Sequence, residues 1–278
     1  MNGVEFMVDG QGIGLLSIDR QSVRNALNWA AMEAFAQAIE TAHRVKDLRA
    51  LIVTGVGKVF VSGGDLSELQ HYPRPEDGLR LATIMGEALK RLEVLACPTI
   101  AAINGPARGG GAEVAVACDL RVIAEDADIG FVHTRLGIVT AWGGGQRLLR
   151  AVGFSRAIEL LSTGRVVQPK EALLLGLANA IAPVGKALAA ARELALQIAA
   201  NPPAAIEATK RFLRSGLLHS EGDSLAAERA EFPPLWDTDF RRQAVQRFLA
   251  KAKHEKSNGR LQSPSPESVP RTRETDRL

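Results

Sequence analysis

An α/β fold followed by a helical C-terminal layer is predicted by three observations. Short apolar, β-branched runs alternate with helical patterns through the first half of the chain. From about residue 155 the pattern becomes almost wholly helical. The 278 residues are 46% hydrophobic and 23% charged, ordinary values for a soluble globular protein with a sizeable core.

Each element can be justified in order. Gly10, Gly12 and Gly14 alternate without forming a dinucleotide fingerprint and suit a hairpin turn. Residues 15–18 and 51–54 are apolar and β-branched, as buried strands are. Between them Asn28 can cap a helix whose Met32, Phe35, Ala36 and Ile39 recur at helical spacing. A second long helical pattern covers 79–95. Pro98 precedes a strand-like Thr99–Ile103, and Gly105 and Pro106 then turn the chain. Gly109-Gly110-Gly111 opens an apolar helix over 112–117, and Leu120–Ala124 reads as the next strand. This strand–helix–strand order argues for parallel pairing.

Helical patterns follow at 155–162, 169–175, 186–200, 202–215 and 223–232. Pro202-Pro203 suits a helix start, where N–H groups are unpaired in any case. Residues 257–278 hold three prolines and four serines with no periodic apolar face, and are expected to be disordered. The expected organisation is an α/β core over 1–200, a helical region over 201–256 and a tail over 257–278.

Charge and cysteine content exclude several classes. Lys and Arg number 34 against 31 Asp and Glu, but residues 251–278 carry seven of the bases and four of the acids. Residues 1–250 therefore balance at 27 of each, so the basic character belongs to the tail and indicates no nucleic-acid-binding face. Cys97 and Cys118 are too few for a disulfide scaffold or a Cys-rich zinc module, and the five histidines lack ligand spacing. No metal site is expected. No run of eighteen apolar residues suggests a membrane span, and Glu5 and Asp9 are out of place in a leader peptide. A soluble, cytoplasmic protein is expected. Phosphate-loop, nucleophile-elbow and zincin motifs are all missing from the sequence.

Two glycine clusters remain: Ser62-Gly63-Gly64-Asp65-Leu66 after a β-like run, and Gly109-Gly110-Gly111-Ala112-Glu113 running into a helix. Singly, each could be a tight turn. As a pair after successive strands they can supply two N–H donors to one oxygen. Together with Arg24-Asn25-Ala26-Leu27-Asn28, Ala117-Cys118-Asp119 and the stretch from Gly137 to Gly143-Gly144-Gly145-Gln146-Arg147-Leu148, they fall in a family order. Over roughly residues 4–253 the chain resembles the crotonase (enoyl-CoA hydratase/isomerase) superfamily.

The resemblance implies a spiral of ββα units, a helical C-terminal part that builds homotrimers or hexamers, and acyl-CoA thioester substrates. No separate cofactor is implied, since coenzyme A enters with the substrate. Its oxyanion hole would be the N–H groups of Gly64 and Gly110. The physical reason is independent of the name: donors aimed at a thioester oxygen that gains charge lower the barrier to an enolate, each worth ~3–4 kcal/mol. Substrate-binding positions would be Arg24, Ala26, Ser62, Gly64, Asp65, Leu66, Ser67, Phe248 and Lys251. Arg24 equally suits solvated surface, and Phe248 and Lys251 equally suit an ordinary helix.

At the acid–base positions the sequence departs from the family's hydratases. Glu113 matches the first of their two glutamates, with apolar neighbours that would favour its neutral acid. It also suits a helix's first turn. Where the second glutamate should stand, four residues before Gly137, there is His133. Without the resemblance His133 would read as a core histidine; with it, a catalytic role is expected. Phe131-Val132-His133, Gly137-Ile138 and Trp142-Gly143-Gly144 are similar to the ethylmalonyl-CoA decarboxylase branch, though Thr140 stands where that branch carries proline. The resulting expectation is decarboxylation of a malonyl-type acyl-CoA. The alternatives are an enoyl-CoA hydratase or isomerase using Glu113 alone, and a non-catalytic acyl-CoA-binding protein.

Overall fold

The computed structural model describes the backbone of residues 3–260 and the side chains of residues 3–250. Strands β1 (Val4–Val8) and β2 (Ile13–Ile18) form an antiparallel hairpin. Asp9 closes its turn by accepting from the N–H groups of Gln11 and Ile13, and Gly12 takes φ +76°. Helix α1 (Trp29–Arg44) leads to β3 (Ala50–Gly55), and α2 (Leu66–Leu69) and α3 (Pro75–Glu93) lead to β4 (Thr99–Ile103). A two-residue strand, β5 (Ala107–Arg108), runs into α4 (Gly110–Ala117). Next come β6 (Leu120–Ala124), β7 (Ile129–Gly130), α5 (Gly144–Val152), α6 (Phe154–Thr163), β8 (Val166–Val167), α7 (Pro169–Leu174) and β9 (Ala180–Ala182). Helices α8 (Ala187–Ala199), α9 (Pro203–Gly216), α10 (Glu221–Glu231), α11 (Pro233–Trp236) and α12 (Asp239–Arg260) complete the described chain.

The main sheet runs β1-β2-β3-β4-β6-β9 and is parallel from β2 onward. A smaller sheet, β5-β7-β8, lies at the point where α4 begins. The main sheet is covered on both faces, as parallel sheets are. Leu51, Val53, Ala101, Ile103 and Ile123 pack with α1, α3 and α4 on one side. Ile52, Ile100, Ala102 and Val122 alternate with them and pack against Ala191 and Ala195 of α8 on the other. Alanines four residues apart on α8 let its backbone approach the strands closely. The cap expected for α1 is present: Asn28 accepts from the Ala31 N–H at 3.0 Å.

The chain divides into two compact units at Arg229/Ala230 rather than at residue 200. Helix α9 belongs with the first unit because its buried Lys210 donates to the Cys97 carbonyl at 2.9 Å and to Asp119 at 2.7 Å. The tail expectation needs one correction. Helix α12 continues through Arg260, so residues 257–260 are helical, and the remainder of the expected tail lies outside the described residues. Among the described residues no helix is long and apolar enough to cross a membrane.

Candidate active site

The two glycine clusters are brought side by side by a short parallel pairing. Val61 bridges Ala107, and the Arg108 N–H donates to the Val61 carbonyl at 3.0 Å. Gly63, at φ +100°, lies so close to the second segment that a Cβ there would come within 3.3 Å of the Gly110 nitrogen. The neighbouring N–H groups are committed elsewhere: Leu27 donates to Gly63, Asp65 to Leu27, and Gly109 to Gly130. Gly64 and Gly110 themselves donate to no residue among those described. Gly110 is the first residue of α4, where orphan donors and the helix dipole together favour developing negative charge.

Both glycines line a cavity of about 120 Å³ that also includes Ser62, Leu66, Leu69, Glu113, His133, Leu136, Ile138, Val139 and Trp142. Glu113 and His133 are its ionisable lining residues, and both are more than nine-tenths buried. His133 sits in a 3-10 turn, Val132–Leu136, that Gly137 closes at φ +71°. Its Nε2 lies 3.0 Å from Glu113 Oε1, and its buried Nδ1 has no partner among the described residues.

Glu113 is held from the other side by a backbone turn. Its Oε2 accepts from the N–H groups of Trp142 at 2.9 Å and Gly144 at 2.8 Å, and its Oε1 accepts from Ala141 at 3.4 Å. The expectation of apolar surroundings is therefore corrected at the oxygens: the methylenes are among apolar residues, but both oxygens face hydrogen-bond donors. Trp142 closes the cavity over Gly110, where a Cβ would fall 2.2 Å from its ring.

The remaining expected positions separate. Ser62 and Leu66 line the cavity with Gly64. Asp65 and Ser67 bond each other instead, with Ser67 Oγ donating to Asp65 Oδ1 at 2.5 Å and Arg20 pairing with Oδ2 at 3.3 Å. The Ser67 hydroxyl, working against burial and joined by the charge of Arg20, holds the Asp65 carboxyl below the ordinary aspartate range. Arg24 is exposed at φ +58°, and the Ala26 carbonyl is taken by an Arg20 Nη1 donor. Neither lines the cavity. Phe248 is exposed on α12 in the second unit, and the Lys251 side chain lies outside the described residues.

Sequence reasoning assigned no role to Asn25, whose fully buried side chain accepts from Arg20 N at 2.8 Å and donates to the carbonyls of Val56 and Val59. It also missed the turn over residues 141–144, for which Gly143-Gly144 was the available signal. Thr140 stands against Gly145, whose missing Cβ leaves room for the threonine hydroxyl.

Comparison with known proteins places the chain in a family. The profile of the family described as Enoyl-CoA hydratase/isomerase matches residues 9–258. A short-chain-enoyl-CoA hydratase of Clostridium acetobutylicum is 33% identical over 256 residues, covering 92% of this chain and 97% of its own. An ethylmalonyl-CoA decarboxylase of Xenopus laevis is 34% identical over 235 residues, covering 84% of this chain and 79% of its own. The solved structure of an enoyl-CoA hydratase from Bacillus anthracis superposes with a TM-score of 0.85 at 32% identity, covering 90% of this chain and 96% of its own.

Proposed function

The chain belongs to the enoyl-CoA hydratase/isomerase family, and from that premise we propose that it is an acyl-CoA lyase that decarboxylates a malonyl-type thioester through a stabilised enolate. The observation that carries the reading is the His133–Glu113 contact, with the remaining oxygen of Glu113 already engaged by Trp142 and Gly144. Among the described residues, no second carboxylate lines the cavity to share a water with Glu113. The arrangement is that of a histidine oriented by an acid, with one ring nitrogen committed and the other free.

In the proposed reaction the bond between the α-carbon and the substrate carboxylate breaks, and carbon dioxide leaves. The electron pair moves into the thioester enolate, whose oxygen accepts from the Gly64 and Gly110 N–H groups. The α-carbon takes a proton in place of the lost carbon dioxide, and the His133–Glu113 pair in the cavity wall is the acid that supplies it. Solvent restores the proton that the pair gives up. A histidine at 133 also meets a substrate carboxylate without the repulsion that glutamate would impose.

The second reading is an enoyl-CoA hydratase or isomerase working from Glu113. It is supported by the hydratase relatives and by the presence of Glu113 in the cavity wall. Methylmalonyl-, ethylmalonyl- and crotonyl-CoA offered side by side, with product analysis, separate the two. Carbon dioxide release from the first pair without hydration of the third is expected; hydration alone would replace the proposal with the second reading. Assembly into homotrimers or hexamers belongs to the same reading. It is supported by Leu213, Leu217 and Leu218, which leave apolar surface exposed on and after α9.

A further inference from the structure

We infer that Arg147, braced by Glu93, is a positioning residue for the Glu113–His133 pair, an inference that rests on that pair being the reacting one. Arg147 lies on α5, and the residue is 8% exposed. Its Nη1 donates to the Trp142 carbonyl at 2.6 Å, and its Nη2 donates to Glu93 Oε2 at 2.8 Å. The guanidinium lies directly against Gly143, whose φ is +87° and where a Cβ would come within 2.7 Å of Nη1.

Trp142 is thus held at both polar atoms of its backbone. Its N–H points to Glu113 in the cavity wall, and its carbonyl points to Arg147 behind the turn. Gly144 supplies the second donor to Glu113 from the other side of Gly143. Arg147 does not line the cavity, so it can reach the chemistry only by fixing the turn that fixes Glu113.

Glu93, near the C-terminal end of α3, fixes the guanidinium in its turn. Arg214 and Arg150 also face it, at 3.7 and 3.9 Å. Burial opposes its charge, but the Arg147 hydrogen bond and the charges of Arg147, Arg214 and Arg150 outweigh that and hold its carboxyl below the usual glutamate range. The planar fork reaches Trp142 and Glu93 from two separate nitrogens; a lysine ammonium would have to make both bonds from one nitrogen and does not match that spacing.

The test compares Arg147→Lys, Arg147→Gln and Glu93→Gln with the parent on ethylmalonyl-CoA and on crotonyl-CoA, after circular dichroism and melting show that each is folded. The expected result is a kcat lower by about ten- to a hundredfold with KM within about threefold, the pattern of a misplaced reacting group. In a Glu113→Gln background, Arg147→Lys should then cost less than about a further threefold, because its effect passes through Glu113. A merely structural role would give the full loss again in that background. Glu113→Gln and His133→Gln alone test the underlying pair: parental kcat in both overturns the pair, and with it the inference. Loss in those two, with folded Arg147 variants that keep their kcat or lose it additively, overturns the inference and leaves the pair standing. Should the Arg147 variants fail to fold, Glu93→Gln, which leaves α5 and the turn intact, carries the same comparison.

Discussion

Gly144 and Glu113 are fitted to each other: the glycine N–H donates to Glu113 Oε2 at 2.8 Å, and a Cβ on that glycine would lie 2.4 Å from Glu113 Cγ. The donor approaches only because the side chain is missing. Gly144→Ala should therefore displace the carboxylate and lower kcat by about a hundredfold, the size expected for a misplacement near 1 Å. Overpacking should cost about 1–3 kcal/mol of stability. Steady-state kinetics and denaturant melts check both, and parental values in each would show that Glu113 has room to spare.

Gly110 needs a paired comparison. Any side chain there meets the Trp142 ring, since a Cβ would fall 2.2 Å from it. Alanine keeps the N–H that proline deletes, so the difference between Gly110→Ala and Gly110→Pro reads the donor apart from the clash. Turnover by the proline variant should be lower than by the alanine variant by at least about a hundredfold. Equal turnover in two folded variants would remove Gly110 from the oxyanion hole.

Asp65 makes a prediction about pH and stability. Its carboxyl is held below the ordinary aspartate range by Ser67, against burial and with help from Arg20. A depressed folded value means that the stabilisation is fully present above the unfolded value near pH 4 and is lost as pH falls through the folded one. Asp65→Asn should be less stable than the parent by about 1–2 kcal/mol at pH 7. The gap should close as pH drops below about 4. Melts at pH 7 and pH 3 check this, and a gap that widens in acid would contradict it.

What the sequence revealed follows from the range of the interactions involved. Strands β4 and β6 have the boundaries read from the sequence, Thr99–Ile103 and Leu120–Ala124, because both are short apolar runs bounded by turns. The Asn28 cap was legible because a cap is local. Glu113 and His133 were legible only through their place in a family order; their mutual contact joins residues twenty apart and has no local signal. Helix α5 was missed for a physical reason. Three consecutive glycines, Gly143 to Gly145, have poor helix propensity, yet here they cap and begin a helix. Gly143 supplies a positive φ, and Gly144 and Gly145 make room for Glu113 and Thr140. The demand on Gly144 comes from Glu113, 31 residues away in the chain.

The reaction itself is tested most directly by His133→Glu, with carbon dioxide release from ethylmalonyl-CoA and hydration of crotonyl-CoA measured on the same preparations. The substitution places a second carboxylate beside Glu113 and beside any substrate carboxylate. At ~4 Å and an effective dielectric near 20 that repulsion is on the order of 4 kcal/mol before relaxation. The predicted result is a ratio of decarboxylation to hydration at least about a hundredfold below the parent's. An unchanged ratio in a folded variant would contradict the assignment of His133 as the group that sets the reaction.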